Sequence, residues 1–158
     1  MGKITIDAID RKILKYLVRN ARMPFLEIAR ECGISGAAIH QRVKKLDESG
    51  VIRGSGIDID PASLGFSVCA IIGVKLSDPA VNERMIEALR GISEITECDF
   101  ITGAYNMIIK VYCTDNEHLM RVIFDKLYHI EGIASTETFI SLLQPFNRQV
   151  NVDNIDIK

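Results

Sequence analysis

No two cysteines of this chain stand at CxxC spacing, and no cysteine and histidine stand at zinc-finger spacing. Cys32, Cys69, Cys98 and Cys113 are far apart, as are His40, His118 and His129. This excludes a recognisable structural zinc site. It also leaves no defensible nucleophile–base pair, so neither a metal centre nor an enzyme is expected. Scattered cysteines of this kind are expected to be reduced, buried thiols in a cytoplasmic protein. Long apolar runs are missing as well. The strongest, Val68 to Val74, is about a third of what a bilayer-spanning helix needs. Met1 to Asp10 alternates in charge and lacks the apolar core of a signal peptide. No membrane partner is expected. Net charge is nearly absent too, at −2 over 158 residues. What is present is apolar content: 47% hydrophobic residues exclude a disordered chain and suit one domain or two small ones.

The small net charge hides a strong division. Residues 1–54 carry eleven Lys/Arg against six Asp/Glu, a net +5, and residues 55–158 carry eight against fifteen, a net −7. A basic module followed by an acidic one suggests that only the first meets a polyanion.

The basic module reads as three helices. Asp7 is an N-cap candidate, and Ile9, Ile13, Tyr16 and Leu17 recur at helical spacing to about Asn20. Pro24 fits the first turn of a second helix, with Ile28 and Ala29 inward. Gly33 then permits a tight turn, Ser35 can cap the next helix, and Gly50 ends that helix. Helix, glycine turn, helix is the pattern of a helix-turn-helix. In the third helix Ile39, Val43 and Leu46 share one arc. The opposite arc carries Ala37, Gln41 and Lys44, flanked by His40 and Lys45, and no acid occurs from Cys32 to Leu46. Small residues at the N-terminal end (Ser35, Gly36, Ala37) allow close approach to a groove. Gln41 and His40 can address base edges, and Lys44 and Lys45 suit phosphates. Arg42, about 60° from the apolar arc, is expected to brace the fold with its stem and reach a phosphate with its tip. Double-stranded DNA is the expected partner.

Residues 55–65 read as an extended linker strand ending near Pro61. Residues 66–145 then alternate strands and helices: a strand from Ser67 to Leu76, a helix from Val81 to Arg90 started by Asp78-Pro79, strands at Ile95 to Ile101 and Asn106 to Cys113, a helix from Asp115 to about His129, and a last strand from Ile133 to Leu143. The order βαββαβ is the ferredoxin-like split βαβ. The fold class is therefore α+β: a helix-turn-helix domain plus a ferredoxin-like domain. Two helices cover one sheet face, and nothing remains in the chain for the other, so dimerisation through that face is expected. Residues 146–158 form a polar tail, read as an arm that is mobile or exchanges between subunits.

The ordered set of motifs resembles the Lrp/AsnC family of amino-acid-responsive regulators over nearly the full length. The resemblance rests on Leu14 to Arg22, Glu27-Ile28-Ala29, Gly33-Ile34-Ser35, Ile39 to Val43, Gly50-Val51-Ile52, Leu64-Gly65, Thr102 to Asn106 and Ser135 to Thr138. The I-H-Q-R-V and S-T-E-T segments look most like the AsnC branch. The resemblance implies a winged N-terminal domain, dimers assembling into octamers, and an amino-acid effector bound between dimers, asparagine or another small amino acid. A zwitterion needs N–H donors for its carboxylate and acceptors for its ammonium. The turn Thr102, Gly103, Ala104, Tyr105, Asn106 offers backbone N–H groups. Ser135, Thr136 and Thr138 offer hydroxyls, and Glu137 or Asp99 can meet the ammonium. Asn106 stands where many relatives carry Asp, which bears on the side chain accepted. Two rival classes are a tetrapyrrole decarboxylase relative, for which only His118 and His129 supply imidazoles in the acidic half, and an amino-acid-binding module whose helix-turn-helix serves protein contacts. His118, in a first turn, is expected to be exposed.

Overall fold

The computed structural model describes residues 5–78 and 83–152. The chain divides into two compact units. One consists of Met1–Asp58 with Phe146–Lys158, and the other is Ile59–Pro145.

The first unit is built on α1 (Ala8–Arg19), α2 (Phe25–Cys32) and α3 (Gly36–Glu48). Helix α1 starts at a reciprocal cap: the Asp7 carboxylate accepts from the Asp10 N–H at 2.8 Å, and the Asp10 carboxylate accepts from the Asp7 N–H at 3.1 Å. This satisfies two otherwise orphaned amides. Pro24 lies one position earlier than the sequence suggests. It is the N-cap of α2, with ψ of 133°, and its carbonyl accepts from Glu27 and Ile28. Gly33, at φ +69°, supplies the left-handed turn between α2 and α3. Ile13, Ile28, Ala29 and Ile39 form the core where the three helices meet. A second small cluster joins Leu14 and Leu46 to Val152.

No paired strand follows α3 among the described residues before β1. The expected linker strand over 55–65 is not formed. Its second half turns into a short 3-10 segment, Ala62–Leu64, because the Asp60 carboxylate accepts from the Ala62 and Ser63 amides and from the Ser63 hydroxyl. A carboxylate satisfied by nearby following residues favours a turn over an extended chain.

The second unit has β1 (Val68–Leu76), α4 (Glu83–Arg90), β2 (Ile95–Phe100), β3 (Met107–Cys113), α5 (Asn116–Arg121) and β4 (Ile133–Ser141). The expected helix start around Pro79 and Val81 lies outside the described residues. All strand pairs are antiparallel, in the order β2-β3-β1-β4. The helix after Asp115 is less regular than its periodicity suggests. It passes from α5 into a π turn at Val122–Lys126 and a 3-10 turn at Leu127–His129. The changes of pitch place Leu119, Val122 and Leu127 all against the sheet.

Alternation on β1 and β3 sorts residues cleanly. Ala70, Ile72, Val74, Met107, Ile109 and Val111 are buried against Met85, Leu89, Leu119, Val122 and Leu127. The intervening residues, Ile71, Gly73, Ile108, Lys110 and Tyr112, point to the other face. Within its own unit this face is only partly covered, by Tyr105 over Gly73 and along a shallow groove bordered by Leu143, Gln144 and Pro145.

Candidate DNA and effector sites

Helix α3 has two unlike sides. Ile39 and Leu46 are buried at 0% and 1% exposure, while Ala37, His40, Gln41, Lys44 and Lys45 lie on the accessible side. The Ser35 hydroxyl is used as a cap and accepts from the Ala38 N–H at 3.2 Å. Gly36 sits against Leu26, whose Cδ2 would be 3.0 Å from any added Cβ. The residue type there is therefore set by helix approach as well as by the outer face. His40 lies edge-on to Phe25, with ring centroids 4.8 Å apart. This contact limits the imidazole's range, and Lys44 forms an exposed pair with Glu48 at 3.7 Å.

Arg42 braces the fold with its tip as well as its stem. Its Nη1 donates to Asp7 and to Asp10, both at 2.7 Å, so this edge of the guanidinium is tied inward. The Asp10 side chain is only 3% exposed. A buried carboxylate needs a charged partner, and that need claims the guanidinium. Hydrogen bonding from Arg42 also helps hold the Asp7 carboxyl below its usual range, after the larger contribution of the Asp10 amide.

The expected effector residues divide between two sides of the second unit. Thr102, Gly103 and Ala104 form an exposed turn, with Gly103 at φ +131°. The turn is fixed at its far end by Asn106, whose N–H donates to Val74 O at 2.9 Å and whose side-chain oxygen accepts from Leu76 N–H at 2.9 Å. Asn106 is thus a staple between turn and β1, and its Oδ1 is already engaged. Tyr105 lies over Gly73, with ring atoms 2.7 Å from where a Cβ would stand. Its hydroxyl donates to the Glu137 carboxylate. Phe139 closes on the same ring at 6.4 Å between centroids, and Lys75 Nζ stands 5.7 Å above it. This hydrogen bond to Glu137 pushes the Tyr105 hydroxyl pKa up.

Strand register extends this row. Gly73 pairs with Glu137 on one side and with Ile108 on the other, and Ile108 pairs with Asp99. Asp99, Tyr105 and Glu137 therefore share the open face, together with Ser135 opposite Lys75. Thr136 and Thr138 do not join them. They pair with Val74 and Ile72, whose side chains face the helices, and the Thr136 hydroxyl donates to the Tyr128 hydroxyl at 3.3 Å. The two-residue period of a strand separates neighbours that a motif groups together. Gly73, Lys75 and Phe139 were not singled out from sequence. The one signal was a glycine inside an otherwise apolar strand, a mark of close approach by another group.

His118 is also placed differently from the expectation. Its side chain is 21% exposed. Its Nδ1 lies 3.3 Å from the Thr114 N–H, an obligatory donor, so Nε2 carries the proton toward Glu94 Oε1 at 2.9 Å. Lys126 adds bonds of 2.7 and 2.8 Å to the same carboxylate. Burial pushes Glu94 up, but these donors outweigh it and bring its pKa down to about 2.

Residues 6–53 match the winged helix-turn-helix DNA-binding domain, and residues 69–150 match the Lrp/AsnC ligand binding domain. The second match alone spans more than half of the chain. This chain belongs to the Lrp/AsnC family. It is 38% identical to the regulatory protein AsnC of Haemophilus influenzae over 145 residues, covering 92% of this chain and 97% of that one. The solved AsnC of Escherichia coli superposes with a TM-score of 0.84 at 37% identity, covering 93% and 99% of the two chains. A transcriptional regulator from Neisseria meningitidis, determined as a complex with L-methionine, shares the fold with a TM-score of 0.82 at 23% identity, covering 91% and 94%. The chain is accordingly a transcriptional regulator with a winged helix-turn-helix DNA-binding domain and an Lrp/AsnC ligand-binding domain. Among the described residues no helix is long and apolar enough to cross a membrane.

Proposed function

We propose that this Lrp/AsnC regulator reads DNA with the outer face of α3 and responds to a small amino acid on the open sheet face. The observation that carries this reading is the asymmetry of α3: a buried side at Ile39 and Leu46 and an accessible side holding Ala37, His40, Gln41, Lys44 and Lys45, with no acid before Asp47 and Glu48 at the C-terminal end. Gln41 and His40 address base edges, and the two lysines meet phosphates.

For the effector, Glu137, held by Tyr105, accepts the ammonium, with Asp99 further along the same face. The turn at Thr102, Gly103 and Ala104 offers N–H groups to the carboxylate. Ser135 supplies a hydroxyl, while Thr136 and Thr138 act through the fold. Asparagine is one candidate by likeness to AsnC, and methionine is another, since the Neisseria meningitidis relative was determined with it. The part of this face away from Tyr105 and Glu137, around Ile71 and Tyr112, supports a homodimer, and four dimers form the octamer, with the effector between dimers at the Tyr105–Glu137 end. A dimer presents two α3 helices about one DNA turn, roughly 34 Å, apart. The domain bounds are 1–54, 55–65 as a linker and 66–145, in a cytoplasmic protein.

Native mass spectrometry with a panel of amino acids tests the reading. The expected result is an even multiple of the 17.6 kDa chain with one amino acid retained. A monomer that retains none overturns both the dimer face and the effector site.

A further inference from the structure

The first turn of α2 leans on the edge of the outer face of α3. Gly36 and His40 stand one turn apart along that edge. A Leu26 methyl lies over Gly36, 3.0 Å from where a Cβ would stand, and the Phe25 ring meets the His40 imidazole edge-on at 4.8 Å between centroids. Phe25 also packs against the core where the three helices meet. Leu26 does not. It keeps 67% of its surface exposed, beside the end of α3 that carries the smallest side chains.

That end has little else to offer a base pair. The Ser35 hydroxyl is engaged as the cap of α3 and accepts from the Ala38 N–H. Gly36, Ala37 and Ala38 carry no polar side-chain atom. The polar readers, His40 and Gln41, come a turn later. Yet the N-terminal residues of a recognition helix are the ones that meet base edges. In the major groove the group that apolar atoms recognise is the 5-methyl of thymine. A guanine or cytosine edge pressed against the same leucine would lose water from hydrogen-bonding groups without a replacement.

We propose that Leu26 is a specificity-determining residue for DNA, its exposed isobutyl group packing on the 5-methyl of a thymine beside the N-terminal end of α3, once in each half-site. The inference rests on the reading of α3 as the DNA-facing helix. It goes beyond that reading by adding a base contact from α2. Leu26 selects thymine at its position because only thymine presents a methyl there, and burying one methyl group is equivalent to about fourfold in affinity.

The test uses the full chain and a pool of random-sequence duplexes, from which the bound sequence is selected and determined. Each thymine of the selected site is then replaced singly by deoxyuridine, which lacks only the methyl, and affinities are compared at one salt concentration. The parent is expected to lose about fourfold in affinity at one thymine of each half-site. L26A is expected to bind the thymine duplex more weakly and to show no further loss with deoxyuridine at that position. L26M, which restores apolar reach, is expected to restore the loss. Both variants are expected to melt like the parent, since Leu26 is largely exposed. An L26A that keeps the parent's deoxyuridine penalty at every thymine overturns the inference, as does a selected site with no thymine whose methyl counts. A site that responds to Q41A but not to L26A overturns this inference alone. A chain that enriches no sequence overturns the reading of α3 with it.

Discussion

Arg42 of α3 reaches the cap of α1, with Nη1 at 2.7 Å from both Asp7 Oδ2 and Asp10 Oδ1. One side chain thus fastens α3 to the cap of α1. Asp10 is almost fully buried, so removing Arg42 strands its charge. R42A is expected to destabilise the first unit by about 3–5 kcal/mol, and R42K by less, since an ammonium retains the charge but cannot serve both carboxylates with the same planar geometry. Thermal melts check this. If R42A instead melts like the parent and only weakens DNA binding, Arg42 is a phosphate ligand after all.

The outer face of α3 makes a separable prediction. K44A and K45A are expected to weaken binding to all DNA sequences alike and to reduce the salt slope by about 0.9 for each phosphate no longer neutralised. Q41A is expected to change sequence preference while leaving the slope intact. Binding isotherms over a salt series on two unrelated duplexes distinguish the two effects. Equal slopes for parent and lysine variants would place the DNA on another face.

Tyr105 and Gly73 fit each other closely enough that a single methyl is informative. In G73A the added Cβ falls 2.7 Å from the Tyr105 ring, so the ring must leave its seat. The expected stability cost is about 1–3 kcal/mol, together with failure of the effector response. Y105F keeps the ring and removes only the hydroxyl donated to Glu137. It is expected to fold normally and bind the amino acid about tenfold more weakly, a change of ~1.4 kcal/mol. Calorimetric titration of both variants decides whether the seat or the hydroxyl matters.

Acid stability of the second unit is expected to depend on Glu94. Its folded pKa of about 2 lies below the ordinary 4.5. A depressed carboxylate stabilises the fold fully above the unfolded value, and that stabilisation disappears as pH falls from about 4.5 toward 2. The whole contribution is on the order of 3 kcal/mol. E94Q is expected to lower stability near neutrality and to flatten this part of the acid profile. Denaturant unfolding between pH 2 and 6 measures both, and parallel profiles for E94Q and the parent would remove Glu94 as the cause.

Much of this protein is determined locally and was legible without a structure. The +5 and −7 halves, the glycine turn before Ser35, the apolar arc Ile39–Val43–Leu46 and the βαββαβ order all follow from short-range spacing, because helices and strands expose periodicities of 3.6 and 2. The same holds for the absence of acids from Cys32 to Leu46 and for the family likeness. Tertiary structure alone decided which partners those residues take. Arg42 turns inward because Asp10, far away in the chain, is buried and must be neutralised. Glu137 joins Tyr105 while Thr136 and Thr138 turn to the helices, because the register of β4 on β1 assigns alternate residues to opposite faces. Glu94 gathers His118 and Lys126 only once the helix after Asp115 lies on the sheet. A sequence specifies what each residue can offer, but burial and register select which offer is accepted, since both depend on positions far apart in the chain coming together.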